Sequence, residues 1–366
     1  MFNLYITMDN FGEFFRGKRV LVTGHTGFKG AWLAQVLLNW DAEVIGVSLP
    51  PHTSPSLFEI LGLEKKVVNY YQDINDFNKV KEIFEKEKPE IVFHLAAQAI
   101  VREGYNDPLK TYATNILGTA NILHAIKEVG SAKSAVMITS DKVYENKEWV
   151  HSYRENDLIG GKEPYSASKA AADIVINSYV QSFLHPEHFG SKHNTLVATG
   201  RAGNVIGGGD WANYRVVPDI VRAVYEKNEP VAIRFPRSVR PWEHVLEPVS
   251  GYILLAKKLY EGDKSAIGAW NFGPHDESFV SVEELVKKGI GLLGKGSYSV
   301  EPDDSKPEAG LLKLDIVKAK SILSWRPRLD FVSNLNFTFD WYKNFYEKKN
   351  DPVEFTKNQI DSFFSK

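Results

Sequence analysis

Residues 19–30, RVLVTGHTGFKG, constrain the fold more than any other stretch of the chain. An apolar, β-branched run over Arg19–Thr23 reads as a buried strand. It stops at Gly24, glycine recurs at Gly27 and Gly30, and an apolar helical pattern opens at Phe28. Strand, glycine turn and helix start are the parts of a dinucleotide cradle. Gly24 permits the tight turn, Gly27 lets backbone approach a pyrophosphate, and Gly30 lets the helix sit close to the strand. Free N–H groups and the positive end of the helix dipole would then face the phosphates. A bare GxxGxxG also marks ordinary turns; the flanking strand and helix decide the matter here.

Further strand patterns fall at Glu43–Ser48, 67–72, 91–95, 135–139 and 194–201. They alternate with helical patterns at 77–88, 108–129 and 165–182, the second ending at Gly130. Such alternation implies right-handed βαβ crossovers and an α/β fold, a Rossmann-type doubly wound parallel sheet with helices on both faces. Ligands then bind beyond the carboxyl ends of the strands. The second half is less regular and rich in Trp, Pro and Arg between residues 210 and 248. Its strand patterns at 231–234 and 269–272 sit among helical patterns at 217–227, 249–260, Val282–Leu293 and 335–348. We expect residues 1–198 to form the dinucleotide-binding domain. Residues 199–366 would form mainly a smaller C-terminal substrate-binding lobe, with segments interleaved with the first domain.

Composition excludes several classes. A net charge of -2 over 366 residues gives no basic field for nucleic acid. The absence of cysteine rules out disulfides, thiolate metal sites and thiol catalysis, and fits a cytoplasmic protein. No run approaches the roughly 20 apolar residues of a membrane span. Residues 1–15 are aromatic-rich but carry Asp9 and Glu13 and lack a basic n-region, so no signal peptide is expected, and Met8 could be the true start. His185, His188 and His193 cluster without zinc spacing, so no metal site is expected.

The chemistry concentrates at Tyr165 and Lys169, in YSASK at the start of a helical run. Four residues apart, they share a helix face. An ammonium beside a phenol favours the phenolate and lowers its pKa from about 10. Such a tyrosine can take a proton from a sugar hydroxyl while hydride leaves the same carbon.

Together these motifs resemble the extended short-chain dehydrogenase/reductases, and within them the CDP-glucose 4,6-dehydratases. The resemblance runs from about residue 11 to about residue 327. It is carried by GHTGFKG, PSLFE at 55–59, DI at 73–74, HLAAQ at 94–98, TNILGT around Asn115, and TSDKVY at 139–144. YRENDLIGGKEPYSASK ending at Lys169, RAGNVIGGGDW at 201–211 and RPWEHVLEP at 240–248 complete it. It implies a bound NAD cofactor and a nucleotide-sugar substrate. Ser140 would hydrogen-bond the sugar's 4-hydroxyl beside Tyr165. Asp141 would be the general acid for water loss. Lys142 would be the C5 base, which requires its pKa to fall through burial and nearby Lys169. Cofactor contacts would come from Gly24, His25, Thr26, Gly27, Phe28, Lys29 and Gly30, from Asp73 and Ile74 at the adenine, and from Leu95, Ala96, Ala97, Gln98, Asn115 and Thr139 along the wall. Asn204 and Val205 would meet the diphosphate. Arg102, Arg215, Arg234 and Arg240 are candidate clamps, and Trp242 a wall for base or sugar.

Two points stay open in the sequence. The second strand ends in Ser48, where an acid for the ribose 2′-hydroxyl is usual, and Lys29 and His25 add charge near the phosphates, so NADP is an alternative to NAD. A dehydratase or 4-epimerase acting on another nucleotide sugar is the alternative function. The resemblance also implies a homodimer, or a dimer of dimers, joined through the helical stretches 108–129 and 165–182.

Overall fold

The computed structural model describes residues 8–301 and 311–365. Seven parallel strands form its centre, and twelve strands are counted along the described chain: β1 (Arg19–Thr23), β2 (Glu43–Ser48), β3 (Val68–Tyr71), β4 (Ile91–His94), β5 (Ser134–Ile138), β6 (Leu196–Ala202), β7 (Asn204–Ile206), β8 (Val231–Ile233), β9 (Val239–His244), β10 (Gly268–Phe272), β11 (Phe279–Ser281) and β12 (Tyr298–Val300). The main sheet has the order β10-β6-β5-β4-β1-β2-β3, so the chain reverses direction between β1 and β4. That switch point opens a crevice at the strand tips. β4 and β5 are buried throughout, as strands covered on both faces must be.

The first half follows the sequence pattern closely. The glycine-loop helix, Phe28–Asn39, begins at the expected residue. The stretch expected as one helix over 108–129 is broken: an α-helix at Pro108–Tyr112, a π-helical turn at Ala113–Leu117, and an α-helix at Gly118–Val129. The Tyr165 helix runs from Pro164 to Phe183 and is capped by Glu163, whose carboxylate accepts the Tyr165 and Ser166 N–H groups in a reciprocal capping box.

The second half enters the sheet. β10 pairs with β6 in parallel as the seventh strand, and the helix Leu246–Tyr260 packs on β5 and β6. β7, β9 and β11 make a small three-stranded sheet at the edge of the crevice. Trp32 of the glycine-loop helix donates its indole N–H to the Gly208 carbonyl at 2.9 Å and stands edge-on to His244. One large apolar core therefore runs from Val20 and Trp32 through Val249 and Trp270 to Phe339 and Phe363. A last helix, Pro352–Phe364, capped by Asp351, follows the helical pattern at 335–348 and packs Ile360, Phe363 and Phe364 into this core.

Candidate active site

The cradle has the predicted geometry. Gly24 sits at φ +74°, and a Cβ there would lie 2.7 Å from the Ala96 nitrogen. A Cβ on Gly30 would lie 2.1 Å from the Gly24 carbonyl oxygen. Only glycine allows either approach. Among the described residues no side chain caps the helix at Gly27 and no acid lies in its first turn, so its leading N–H groups are left for a ligand. These features fit a dinucleotide pyrophosphate.

Thr23 holds the next wall in place. Its hydroxyl accepts the Leu95 and Ala96 N–H groups at 3.1 Å each and lies 2.8 Å from His94 Nδ1. Burial drives His94 down to about 3, so it is neutral. Asn115, in the π-helical turn, accepts the Gln98 N–H at 2.8 Å and donates to the Gln98 carbonyl and the Ser168 hydroxyl. It thereby ties the loop after β4 to the Tyr165 helix. Ile74 is buried under Gly118, where a Cβ would strike it at 2.4 Å, and Asp73 is exposed beside it.

Two expectations at the glycine loop need correction. The His25 side chain is not a switchable charge at the phosphates. It is buried across β2, where a Cβ on Gly46 would meet its ring, and its Nε2 lies 2.6 Å from Asn69 Oδ1. Burial lowers its pKa, so it stays uncharged. Lys29 does not turn to the phosphates either. Its ammonium lies 5.7 Å from the ring centre of buried Tyr252, in the field of Glu243 and Asp141. At the end of β2, the Ser48 and Thr26 hydroxyls lie 2.8 Å apart, and Thr26 also donates to the Leu49 carbonyl.

Ser140, Asp141 and Tyr165 are buried together at the tip of β5. Ser140 donates to Asp141 Oδ1 at 3.0 Å and accepts the Lys142 N–H at 3.2 Å. Burial raises the Asp141 carboxyl, against the pull of Lys142, Ser140 and Arg240. Lys142 follows on the same turn, half-buried. The expected lowering of the phenol does not occur. Burial pushes Tyr165 up to about 12, and the Ser140 hydroxyl facing it only partly opposes this. Lys169 is not on the phenol: its ammonium donates to the Ile138 carbonyl at 3.3 Å. Burial, reinforced by the like charge of Lys29, brings Lys169 down to about 8.

Beneath these groups lies a buried network that the sequence did not reveal. Arg201 of β6 donates to both carboxylate oxygens of Asp173, at 2.9 and 2.7 Å, one turn beyond Lys169. Asp173 also accepts the Thr139 hydroxyl at 3.0 Å. Arg201 continues to the Tyr144 hydroxyl at 2.8 Å, and Tyr144 to Asn271 of β10 at 2.7 Å. The turn carrying Asp141 and Lys142 is thus braced at both ends.

On the facing side, Arg102 and Arg234 both lie over the Tyr214 ring, at 5.2 and 5.8 Å. Arg215 pairs with Asp210 at 2.9 Å in the field of Tyr165. Arg240 is enclosed, in the field of Asp141. Asn204 and Val205 are half-buried on β7, which runs beside β9. Trp242 is a correction: its indole is buried in the large core and donates to the Val280 carbonyl at 3.2 Å, so it is packing rather than a substrate wall. Among the described residues, no group of His, Cys, Asp and Glu could hold a metal ion.

A family model described as GDP-mannose 4,6 dehydratase matches residues 21–336. The chain belongs to this family. A CDP-glucose 4,6-dehydratase of Salmonella typhimurium is 46% identical over 355 residues, covering 96% of this chain and 98% of that protein. A UDP-glucose 4-epimerase of Thermotoga maritima, solved with UDP-glucose, superposes with a TM-score of 0.73 at 25% identity, over 90% of this chain and 99% of its own. A dTDP-glucose 4,6-dehydratase of Streptomyces venezuelae, solved with NAD bound, has the same fold, with a TM-score of 0.75 at 22% identity over 89% of this chain and 97% of its own.

Within the GDP-mannose 4,6-dehydratase family fold, one further group stands out. Glu243 of β9 is fully buried, and among the described residues no group meets either of its carboxylate oxygens in full hydrogen-bond geometry. Burial raises it well above an ordinary carboxyl, against the opposing field of Lys29. Its place in RPWEHVLEP was visible in the sequence, but nothing there set it apart from a surface acid.

Proposed function

We propose that the chain is a CDP-glucose 4,6-dehydratase, forming CDP-4-dehydro-6-deoxyglucose and water with a retained NAD. The observation that carries this reading is Asp141, enclosed beside Ser140 and Tyr165 and followed at once by Lys142. Moving a hydride at C4 needs Tyr165 alone. Removing water across C5–C6 needs a second acid and base, and this turn supplies both. The identity to the Salmonella protein, which extends over nearly the whole chain, supports CDP-glucose as substrate.

Bound in the glycine cradle, NAD would accept the C4 hydride and return it at C6. Tyr165 receives the O4 proton. The resulting ketone acidifies C5, Lys142 takes the C5 proton, Asp141 protonates the departing C6 hydroxyl, and Lys142 returns its proton to C5 once hydride has reached C6. Arg102, Arg234 and Arg215 would hold the diphosphate, as guanidinium forks suit phosphate oxygens. The enclosure of Ser140, Asp141 and Tyr165 would keep water from the unsaturated intermediate. NAD rather than NADP is supported by the neutral His25 and the inward-turned Lys29, which leave the loop without a cation for a 2′-phosphate.

Exposed Leu117, on the π-helical turn, and exposed Ile174 and Phe183, on the Tyr165 helix, support a dimer through these helices. Among the described residues, no helix is long and apolar enough to cross a membrane.

The deciding experiment is mass spectrometry after incubation with CDP-glucose, UDP-glucose and dTDP-glucose. Loss of one water from CDP-glucose alone is expected. An unchanged mass with inverted C4 would mean an epimerase, and water loss from another sugar nucleotide a different base pocket.

A further inference from the structure

Tyr214 stands in a backbone conformation that a bulky residue avoids, at φ +63°. Lys88, Asn228, Ser324 and Lys348 adopt the same left-handed turn, but each ends a helix, where it is routine. Tyr214 ends none. It lies two residues ahead of the helix Val216–Val221, in a short span fixed on both sides. Before it, the Ala212 N–H donates to Asp210 Oδ1 at 3.0 Å, and Arg222 donates to the Trp211 carbonyl at 2.8 Å. After it, Arg215 pairs with Asp210 at 2.9 Å. Glycine or asparagine would take this turn at less cost. Strain that the surroundings hold in place points to a use for the side chain that causes it.

What the ring touches shows that use. The Arg102 guanidinium lies 5.2 Å from the ring centre and the Arg234 guanidinium 5.8 Å. The two come from opposite halves of the chain. Arg102 is on the helix Val101–Asn106, which abuts the Tyr165 helix so closely that a Cβ on Gly104 would lie 3.3 Å from the Tyr165 nitrogen. Arg234 follows β8 directly. Two cations brought to one place repel each other, and the negative face of an aromatic ring attracts each of them. Asp219 relieves little of that repulsion. It lies 3.7 Å from Arg234, but Arg222 already holds it at 2.6 Å.

We propose that Tyr214 is a positioning residue for the nucleotide sugar: its ring gathers Arg102 and Arg234 before substrate arrives, so that the diphosphate meets two guanidinium groups already in place. In the free enzyme the ring offsets the repulsion between the two cations. In the complex the phosphates do so, and more strongly. The gain is one of preorganisation, since the arginines need not be ordered as the substrate binds. The left-handed turn is what lets one ring reach both. The ring, not the hydroxyl, carries the effect, and the chemical step at Ser140, Asp141 and Tyr165 does not depend on it.

The inference rests on the reading of these arginines as diphosphate ligands, and its test separates the two. Full-length enzyme is titrated with CDP, UDP and dTDP by calorimetry, and kcat and KM are measured with CDP-glucose. Tyr214→Asn keeps the turn and removes the ring. It should weaken CDP binding and raise KM by about 5–30-fold, the span of two exposed cation–π contacts, with kcat unchanged. Tyr214→Phe keeps the ring and should bind as wild type does. In an Arg102→Ala background the further loss from Tyr214→Asn should shrink, because the ring acts through the arginine. The inference is refuted if Tyr214→Asn binds CDP as tightly as wild type, if Tyr214→Phe is as weak as Tyr214→Asn, or if kcat falls while KM holds. Wild type that took UDP or dTDP in place of CDP would overturn the base assignment alone, and the same ratios would decide the inference on that nucleotide. Wild type that bound none of the three would overturn the diphosphate reading and this inference with it.

Discussion

Replacing Asp173 by Asn tests the brace beneath the site. Arg201 and Asp173 are 2% and 6% exposed, and the guanidinium contacts both carboxylate oxygens. The substitution keeps the shape and one oxygen acceptor but removes the charge, leaving the enclosed guanidinium with that amide oxygen, the Tyr144 hydroxyl and the Glu155 carbonyl and without the anion it paired with. Breaking one side of such a buried pair costs about 3–5 kcal/mol. With an unfolding entropy of about 2.1 cal/mol/K per residue, a chain of this length has about 0.8 kcal/mol/K. Tm should therefore fall by about 4–7 °C in scanning calorimetry. Asp173→Leu combined with Arg201→Met removes both charges and fills a similar volume, so it should recover most of that loss. A drop under about 1 °C for Asp173→Asn, or a double variant no better than the single one, would refute the account of the network as a mutually dependent charge pair.

Tyr165→Phe should retain the fold and lose about 10²–10⁴ in kcat, measured by coupled product detection; a rate within threefold of wild type would remove the base. Lys169 titrates at about 8, so its ammonium is present below that pH and lost above it. If that charge is needed, kcat should decline as pH rises through this value, and Lys169→Arg should move the decline to higher pH. Gly30→Ala forces a Cβ to 2.1 Å from the Gly24 carbonyl, so the loop must open and dinucleotide binding should weaken, read by calorimetric titration while circular dichroism stays native. Leu117→Glu with Ile174→Glu puts charge on the exposed apolar patch and should convert a dimer to monomers in light scattering; an unchanged mass would move the interface elsewhere.

The parallel sheet and the cradle were legible because each strand is a short apolar run and each glycine has a local steric reason. The break in the helical stretch 108–129 was not. Asn115 and Thr119 keep helical periodicity, and the π-helical turn arises because Asn115 is drawn to Gln98 and Ser168, distant in sequence. The small sheet of β7, β9 and β11 was missed for the same reason, since its two three-residue strands, β7 and β11, are specified by their pairing with β9 rather than by pattern. The terminal helix carried a readable signal, Asp351 then Pro352 at its start. At the site, the residue types and their spacing were legible, but their electrostatics were not. Helical spacing placed Lys169 on the face of Tyr165, yet the ammonium found the Ile138 carbonyl, and enclosure raised the phenol that a neighbouring charge was expected to lower. Depth of burial is set by the whole fold, and no local motif states it.

The anchorage of Trp32 bears on how such enzymes can diversify. The glycine-loop helix fastens its largest side chain onto Gly208 and His244, which belong to the other half of the chain. A substrate lobe transplanted from a cousin would arrive without the matching socket. New sugar preferences should therefore accumulate by change within the existing lobe, residue by residue, rather than by shuffling whole modules.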